Sequence, residues 1–123
     1  MYKDKVVISL GGSLIVPSGG IDISFLKKFN EFIRNQIKKN PKRQFFIVAG
    51  GGITTRHYQD AAKNSVNHKI VPEDLDWLGL HATRLNAQLM RTIFRDIAEP
   101  FILKHYEIIR KVEKPVGIVT GKQ

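Results

Sequence analysis

Two apolar runs in this chain drive straight into glycine, VVISLGG at 6–12 and QFFIVAGGG at 44–52. Neither run alternates with polar residues over its length, and both are rich in β-branched or aromatic side chains, the composition of strands covered on both faces. Glycine directly after such a strand lets another backbone, or a ligand, come close with no Cβ in the way. A helical pattern follows the second cluster through Thr54, Thr55, Arg56, Tyr58, Ala61 and Ala62. Strand, glycines and helix in that order predict a parallel sheet with both glycine loops at one edge. Ligands of open parallel sheets bind beyond the carboxyl ends of the strands, and a helix N-terminus there offers unsatisfied N–H donors to an anion. One such loop reads equally well as a tight turn. Two at the same edge favour a phosphate floor.

The remaining pattern extends the alternation. Residues 5–10 form the first strand, and 17–20 (PSGG) a loop. Asp22 or Ser24 caps a helix whose apolar face carries Phe25, Leu26, Phe29, Phe32, Ile33 and Ile37, and Asn40-Pro41 stops it. Residues 44–49 form the second strand and 65–72 are irregular. A long helical pattern covers 73–97 through Leu78, Ala82, Leu85, Leu89, Ile93 and Ile97, and Pro100 ends it. Residues 101–103 read as a strand, 106–112 as a short helix, and 116–119 as a strand meeting Thr120-Gly121. Strands alternating with helices imply an α/β fold with a mainly parallel sheet.

With 123 residues the chain is long enough for one domain. It has no cysteine, which excludes a disulfide framework and suits the cytoplasm. The N-terminus lacks a signal-peptide apolar region, and no stretch approaches the roughly 20 apolar residues of a membrane span. A formal charge of +9 attracts phosphates. The densest basic run, KKNPKR at 38–43, falls between a helix and a strand pattern and so reads as a solvated loop. No recognition helix or aromatic-rich module accompanies it, and nucleic acid is not an expected partner. His57, His68, His81 and His105 show no metal-ligand spacing and read as structural or surface residues, so no metal ligand is expected. GIVTGKQ at 117–123 is not a P-loop, because Val116 stands where its first glycine belongs and Gln123 replaces Ser/Thr. In DWLGLHATRLNAQL at 76–89, Asp76 suits either ligand hydroxyls or a helix start. Thr83, Arg84 and Asn86 read there as ordinary polar residues beside an apolar face, although Arg84 suits phosphate as well as a surface carboxylate.

Taken together, VVISLGGSLIVP, FFIVAGGGITTRHY and DWLGLHATRLNAQLM resemble the amino acid kinase superfamily, and the third looks most like its archaeal-type uridylate kinases. KPVGIVTGKQ resembles the strand and loop that continue that fold. The resemblance covers essentially all of 1–123 but about the first half of the family's domain, the acceptor-nucleotide side, and leaves out the C-terminal ATP-binding half. It implies a truncated three-layer α/β/α sandwich, usually assembled into homo-oligomeric hexamers. It implies transfer of the γ-phosphoryl group of ATP to UMP, giving UDP, with Mg²⁺. Carried over motif by motif, Gly11, Gly12 and Ser13 lie against the transferring phosphates, and Gly52 and Arg56 approach those of ATP. Gly51 faces UMP, Asp76 contacts its ribose, and Thr120, Gly121, Lys122 and Gln123 begin the loop around it.

One departure stands out. Many members carry lysine where this chain has Ser9, so Arg56 or Mg²⁺ would have to supply the missing charge. Without the second half, the chain is not expected to turn over alone. Another acceptor (isopentenyl phosphate, carbamate or an amino acid) and a non-catalytic nucleotide- or anion-binding module are the alternative readings.

Overall fold

A computed structural model describes residues 2–104 and 111–120. The element order is β1 (Asp4–Ser9), α1 (Gly11–Ile15), α2 (Ile23–Lys39), β2 (Arg43–Ala49), α3 (Gly52–Ser65), α4 (Pro72–Ile93) and β3 (Val116–Thr120). The strands form one parallel sheet in the order β1-β2-β3. Ser9 lies opposite Val48, and Ala49 opposite Thr120, so all three strands end at the same sheet edge. The expected α/β class with a parallel sheet is present.

Apolar burial divides by face, as the two-residue period of a strand requires. Phe45, Ile47 and Ala49 of β2 point into the larger core with Ile33 of α2 and Met90 of α4. Phe46 points the other way, into a cluster with Leu103, Val112 and Val119. The described helices that touch the sheet therefore cover one face. The short helix expected at 106–112 lies largely outside the described residues. Gln44, the polar head of the second apolar run, is buried and donates to Val112 O at 2.9 Å and Lys114 O at 2.8 Å.

Four expectations need correction. The first strand is not buried on both faces: among the described strands β1 lies at the sheet edge, and Val7 is 55% exposed. Phe32 does not join the apolar face of α2. It is half-exposed, while Leu26 and Ile33 are buried there. The long helix ends at Ile93 rather than 97. Extension would need the Ile97 N–H on the Ile93 carbonyl, but Arg34 Nη2 donates to that carbonyl at 3.1 Å, and Ile97 N–H turns to Phe94 O at 2.9 Å. Finally, 101–103 makes no ladder strand. Leu103 forms an isolated bridge to Val119, and Phe101 is exposed.

Arg34 also ties α2 to the chain after α4. Its two Nη groups meet the Asp96 carboxylate at 2.8 Å each, Nε donates to Asn30 Oδ1 at 2.8 Å, and the guanidinium lies 5.7 Å from the Phe94 ring centre. The hydrogen bonds from Arg34 pull the Asp96 carboxyl down to a pKa of about 2. At the other end of α2, Asp22 caps the helix by accepting from Phe25 N–H at 3.0 Å.

Candidate functional site

The two glycine loops meet. Gly12 is buried in α1, and a Cβ added to it would run into the backbone of Gly51 and Gly52. Gly52 holds a φ of +59°, and a Cβ there would in turn strike the Gly12 backbone. Only glycine meets both demands, of close approach and of left-handed backbone. The β1–α1 and β2–α3 connections are thus pressed against each other at the carboxyl edge of the sheet. Gly11-Gly12-Ser13 is also more than a turn, because it opens α1, with the Val16 N–H on Gly12 O at 2.8 Å.

A second layer holds these loops. Asn86 of α4 is buried, and its Nδ2 donates to Gly50 O at 2.8 Å and Gly51 O at 3.4 Å. Thr55 of α3 packs between Gly51 and Gly79, where an added Cβ on Gly79 would sit 3.2 Å from its Cγ2. Thr83 Oγ1 comes within 3.2 Å of a Cβ added to Gly51. Asn86 and Thr83 therefore belong to the site's support and are not surface polar residues. An amide among apolar residues, nearly four turns into the helix, was the available signal. A polar group in that position needs a partner, and the glycine carbonyls are one.

The remaining candidates spread out from this contact. Arg56 is exposed and stands four residues after Gly52, so it shares one face of α3 with it. Ser13 is exposed on α1. Ser9 ends β1 on its exposed face, away from the larger core. Asp76 is exposed on the α4 face that also carries Gly79 and Thr83, about 10 Å along the axis from Thr83 at the usual helical rise. It borders a cleft of about 390 Å³ with Glu73, Trp77 and Leu80. Thr120 is buried at the end of β3 and borders a different cleft. The structure thus joins Gly12, Gly51 and Gly52, puts Arg56 on their side of α3, and leaves Asp76 and Thr120 in separate clefts. Gly121, Lys122 and Gln123 lie outside the described residues. So does His105, whereas His57, His68 and His81 are exposed.

N–H groups at the starts of α1 and α3, with Arg56 beside them, are donors that fit phosphate oxygens. Among the described residues no group of three or more His, Cys, Asp or Glu could hold a metal ion.

The model of the amino acid kinase family matches residues 4–104. The chain belongs to the amino acid kinase family. Among similar proteins, the uridylate kinase of Methanocorpusculum labreanum is 33% identical over 118 residues, covering 96% of this chain and 45% of that protein. The uridylate kinase of Methanoculleus marisnigri is 36% identical over 107 residues, 83% of this chain and 40% of its own length. The crystal structure of uridylate kinase from Archaeoglobus fulgidus superposes with a TM-score of 0.70 at 26% identity, covering 97% of this chain and 51% of that one. The chain spans about half the length of the relatives it matches. No helix among the described residues is long and apolar enough to cross a membrane.

Proposed function

We propose that this amino acid kinase chain carries the acceptor-nucleotide side and part of the phosphate floor of a kinase that moves the γ-phosphoryl group of ATP to UMP, giving UDP for pyrimidine nucleotide synthesis. The observation that carries the reading is the junction of the two glycine loops at the carboxyl edge of the sheet, with Arg56 on the Gly52 face of α3. Phosphoryl transfer asks a protein mainly for alignment and charge neutralisation. Backbone N–H groups near Gly12 and Ser13 would bind the transferring group, and Gly52 and Arg56 the phosphates behind it. A UMP phosphate oxygen forms the new bond to the γ-phosphorus while the bond to the ADP oxygen breaks. That oxygen is already anionic at neutral pH, so no general base is required. Gly51, Asp76, Thr120 and residues 121–123 would hold UMP. Such a kinase would work in the cytoplasm.

Assembly is part of the same reading. Tyr58 and Trp77 are 60% and 55% exposed, and Trp77 stacks on His81 at 6.0 Å. Tyr58 borders a cleft with His81, so the two aromatics flank one patch; such patches mark contact surfaces, and a second copy of the chain would cover this one.

Calorimetry of the whole chain with UMP, CMP and isopentenyl phosphate tests the acceptor. UMP should bind best, and Asp76→Ala should weaken it at least tenfold, about 1.4 kcal/mol. Indifference to UMP sinks the reading. Sedimentation of the same sample as a monomer, unchanged by Trp77→Ala, sinks the assembly.

A further inference from the structure

The side chains of β3 do little to fix its register. All five of its residues are buried, so sliding VGIVT two residues along β2 would keep the same side chains on the same faces. Gly117 is the one mark within the strand. It pairs with Phe46, and an added Cβ would sit 2.9 Å from both Phe46 Cδ1 and Leu103 Cδ1. Those are side-chain ends that can swing aside, so the mark is soft.

The chain entering β3 is gripped instead. Gln44, near the start of β2, donates through Nε2 to Val112 O at 2.9 Å and Lys114 O at 2.8 Å. Glu99, in the chain after α4, accepts the Glu113 and Lys114 N–H groups on Oε1 at 2.8 and 3.0 Å. Its own N–H donates to Val116 O at 2.9 Å. Tyr2 Oη donates to Glu113 O at 3.0 Å. Gln44 and Glu99 are both buried, where a polar side chain costs free energy unless it is hydrogen-bonded. The partners come from three places far apart in the chain, so they tie the 112–114 backbone to the sheet and do not merely close a local turn.

Register matters at the other end of the strand. Thr120 pairs with Ala49, which directly precedes Gly50-Gly51. One residue of slip moves a strand by about 3.3 Å, whereas a misplacement of about 1 Å can already spoil a site. We propose that Gln44 and Glu99 are positioning residues of the candidate site: they index β3 against β2 and so set where Thr120 stands beside the glycine loop. They do this from the amino edge of the sheet, five residues along β2 from Ala49 in the case of Gln44. The functional part of the proposal rests on the reading that Thr120 belongs to the acceptor side.

Two readouts on the whole chain test it. Cross-strand amide contacts by NMR, Phe46 to Gly117 and Ala49 to Thr120, report the register whatever the chain binds. Calorimetry with UMP reports the site, under conditions where circular dichroism shows each variant folded. Gln44→Ala with Glu99→Ala should abolish or double the wild-type set of cross-strand contacts and weaken UMP at least tenfold. Glu99→Gln keeps an oxygen that can accept both N–H groups, so it should restore both readouts relative to Glu99→Ala. If the double variant does not fold, Gln44→Ala alone carries the same expectations. Wild-type contacts in a folded variant that merely melts earlier would reduce the grip to a stabiliser and overturn the proposal. Lost contacts with unchanged UMP affinity would equally overturn it, because the register would not matter to the site. A wild-type chain indifferent to UMP sinks the acceptor reading instead, and the NMR comparison then decides whether Gln44 and Glu99 index β3.

Discussion

Gly12→Ala is the sharpest perturbation of the loop junction. An alanine Cβ at this position would land on the Gly51–Gly52 backbone, with no flexible side chain available to move aside. Overpacking a tight contact costs about 1–3 kcal/mol, and a wall made of backbone belongs at the upper end. Gly12 lies in α1, where alanine is the better helix former by up to about 1 kcal/mol. The clash outweighs that gain, leaving a net loss of about 2 kcal/mol, or roughly 8 °C in Tm for a chain of this size. Gly20→Ala is the control, because nothing lies within 4 Å of its added Cβ. It should stay within about 0.5 kcal/mol of wild type, as surface changes do. Scanning calorimetry and urea unfolding of both variants supply the measurement. If Gly12→Ala melts with wild type while Gly20→Ala does too, the loops are not pressed together, and the glycines need another explanation.

Two further perturbations follow from the same geometry. Asn86→Ala leaves the Gly50 and Gly51 carbonyls without their side-chain donor and should cost about 1–3 kcal/mol by urea midpoint; an unchanged midpoint would remove Asn86 from the site's support. Asp96 has a folded pKa of about 2, below its unfolded value, so its ion pair with Arg34 stabilises the fold above the unfolded pKa and is lost as pH falls from about 4 toward 2. Wild type should therefore out-melt Asp96→Asn at pH 6, with the gap closing by pH 2; a gap independent of pH would mean that the carboxylate charge is not what holds Arg34.

The alternation of strands and helices was readable because the relevant signals are local. The β2 run, the Asp22 cap and the apolar face of α2 each depend on residues a few positions apart. What escaped was set by partners far along the chain. β1 has the composition of a covered strand, but exposure depends on which strand lies at the edge, and composition does not encode that. The end of α4 looked like Pro100 and is instead decided by Arg34, 59 residues away from the carbonyl it takes. Asn86 read as an ordinary polar residue beside an apolar face because its own neighbourhood does not name the carbonyls of Gly50 and Gly51, 36 and 35 residues earlier. The glycine clusters were conspicuous, yet their first physical duty is to each other: the packing of Gly12 on Gly52 already demands glycine at both positions, before any phosphate is considered.

That overlap moves the functional weight elsewhere. If loop packing accounts for Gly12 and Gly52, their presence is weaker evidence for phosphate than the charge and donors around them. Ser9 contributes no charge, and α1 is five residues long, too short for a strong macrodipole. α3 runs for fourteen residues, begins at Gly52 and carries Arg56 on the same face. The electropositive side of the candidate site is thus the β2–α3 connection, with the β1–α1 connection serving as its wall. This makes Arg56→Ala more telling than Asp76→Ala. Asp76 is an exposed acceptor at the far end of an α4 face, and its loss would weaken UMP without changing the charge at the glycine loops. Arg56 is the positive side chain on the Gly52 face, so its loss would remove charge that Ser9 cannot replace.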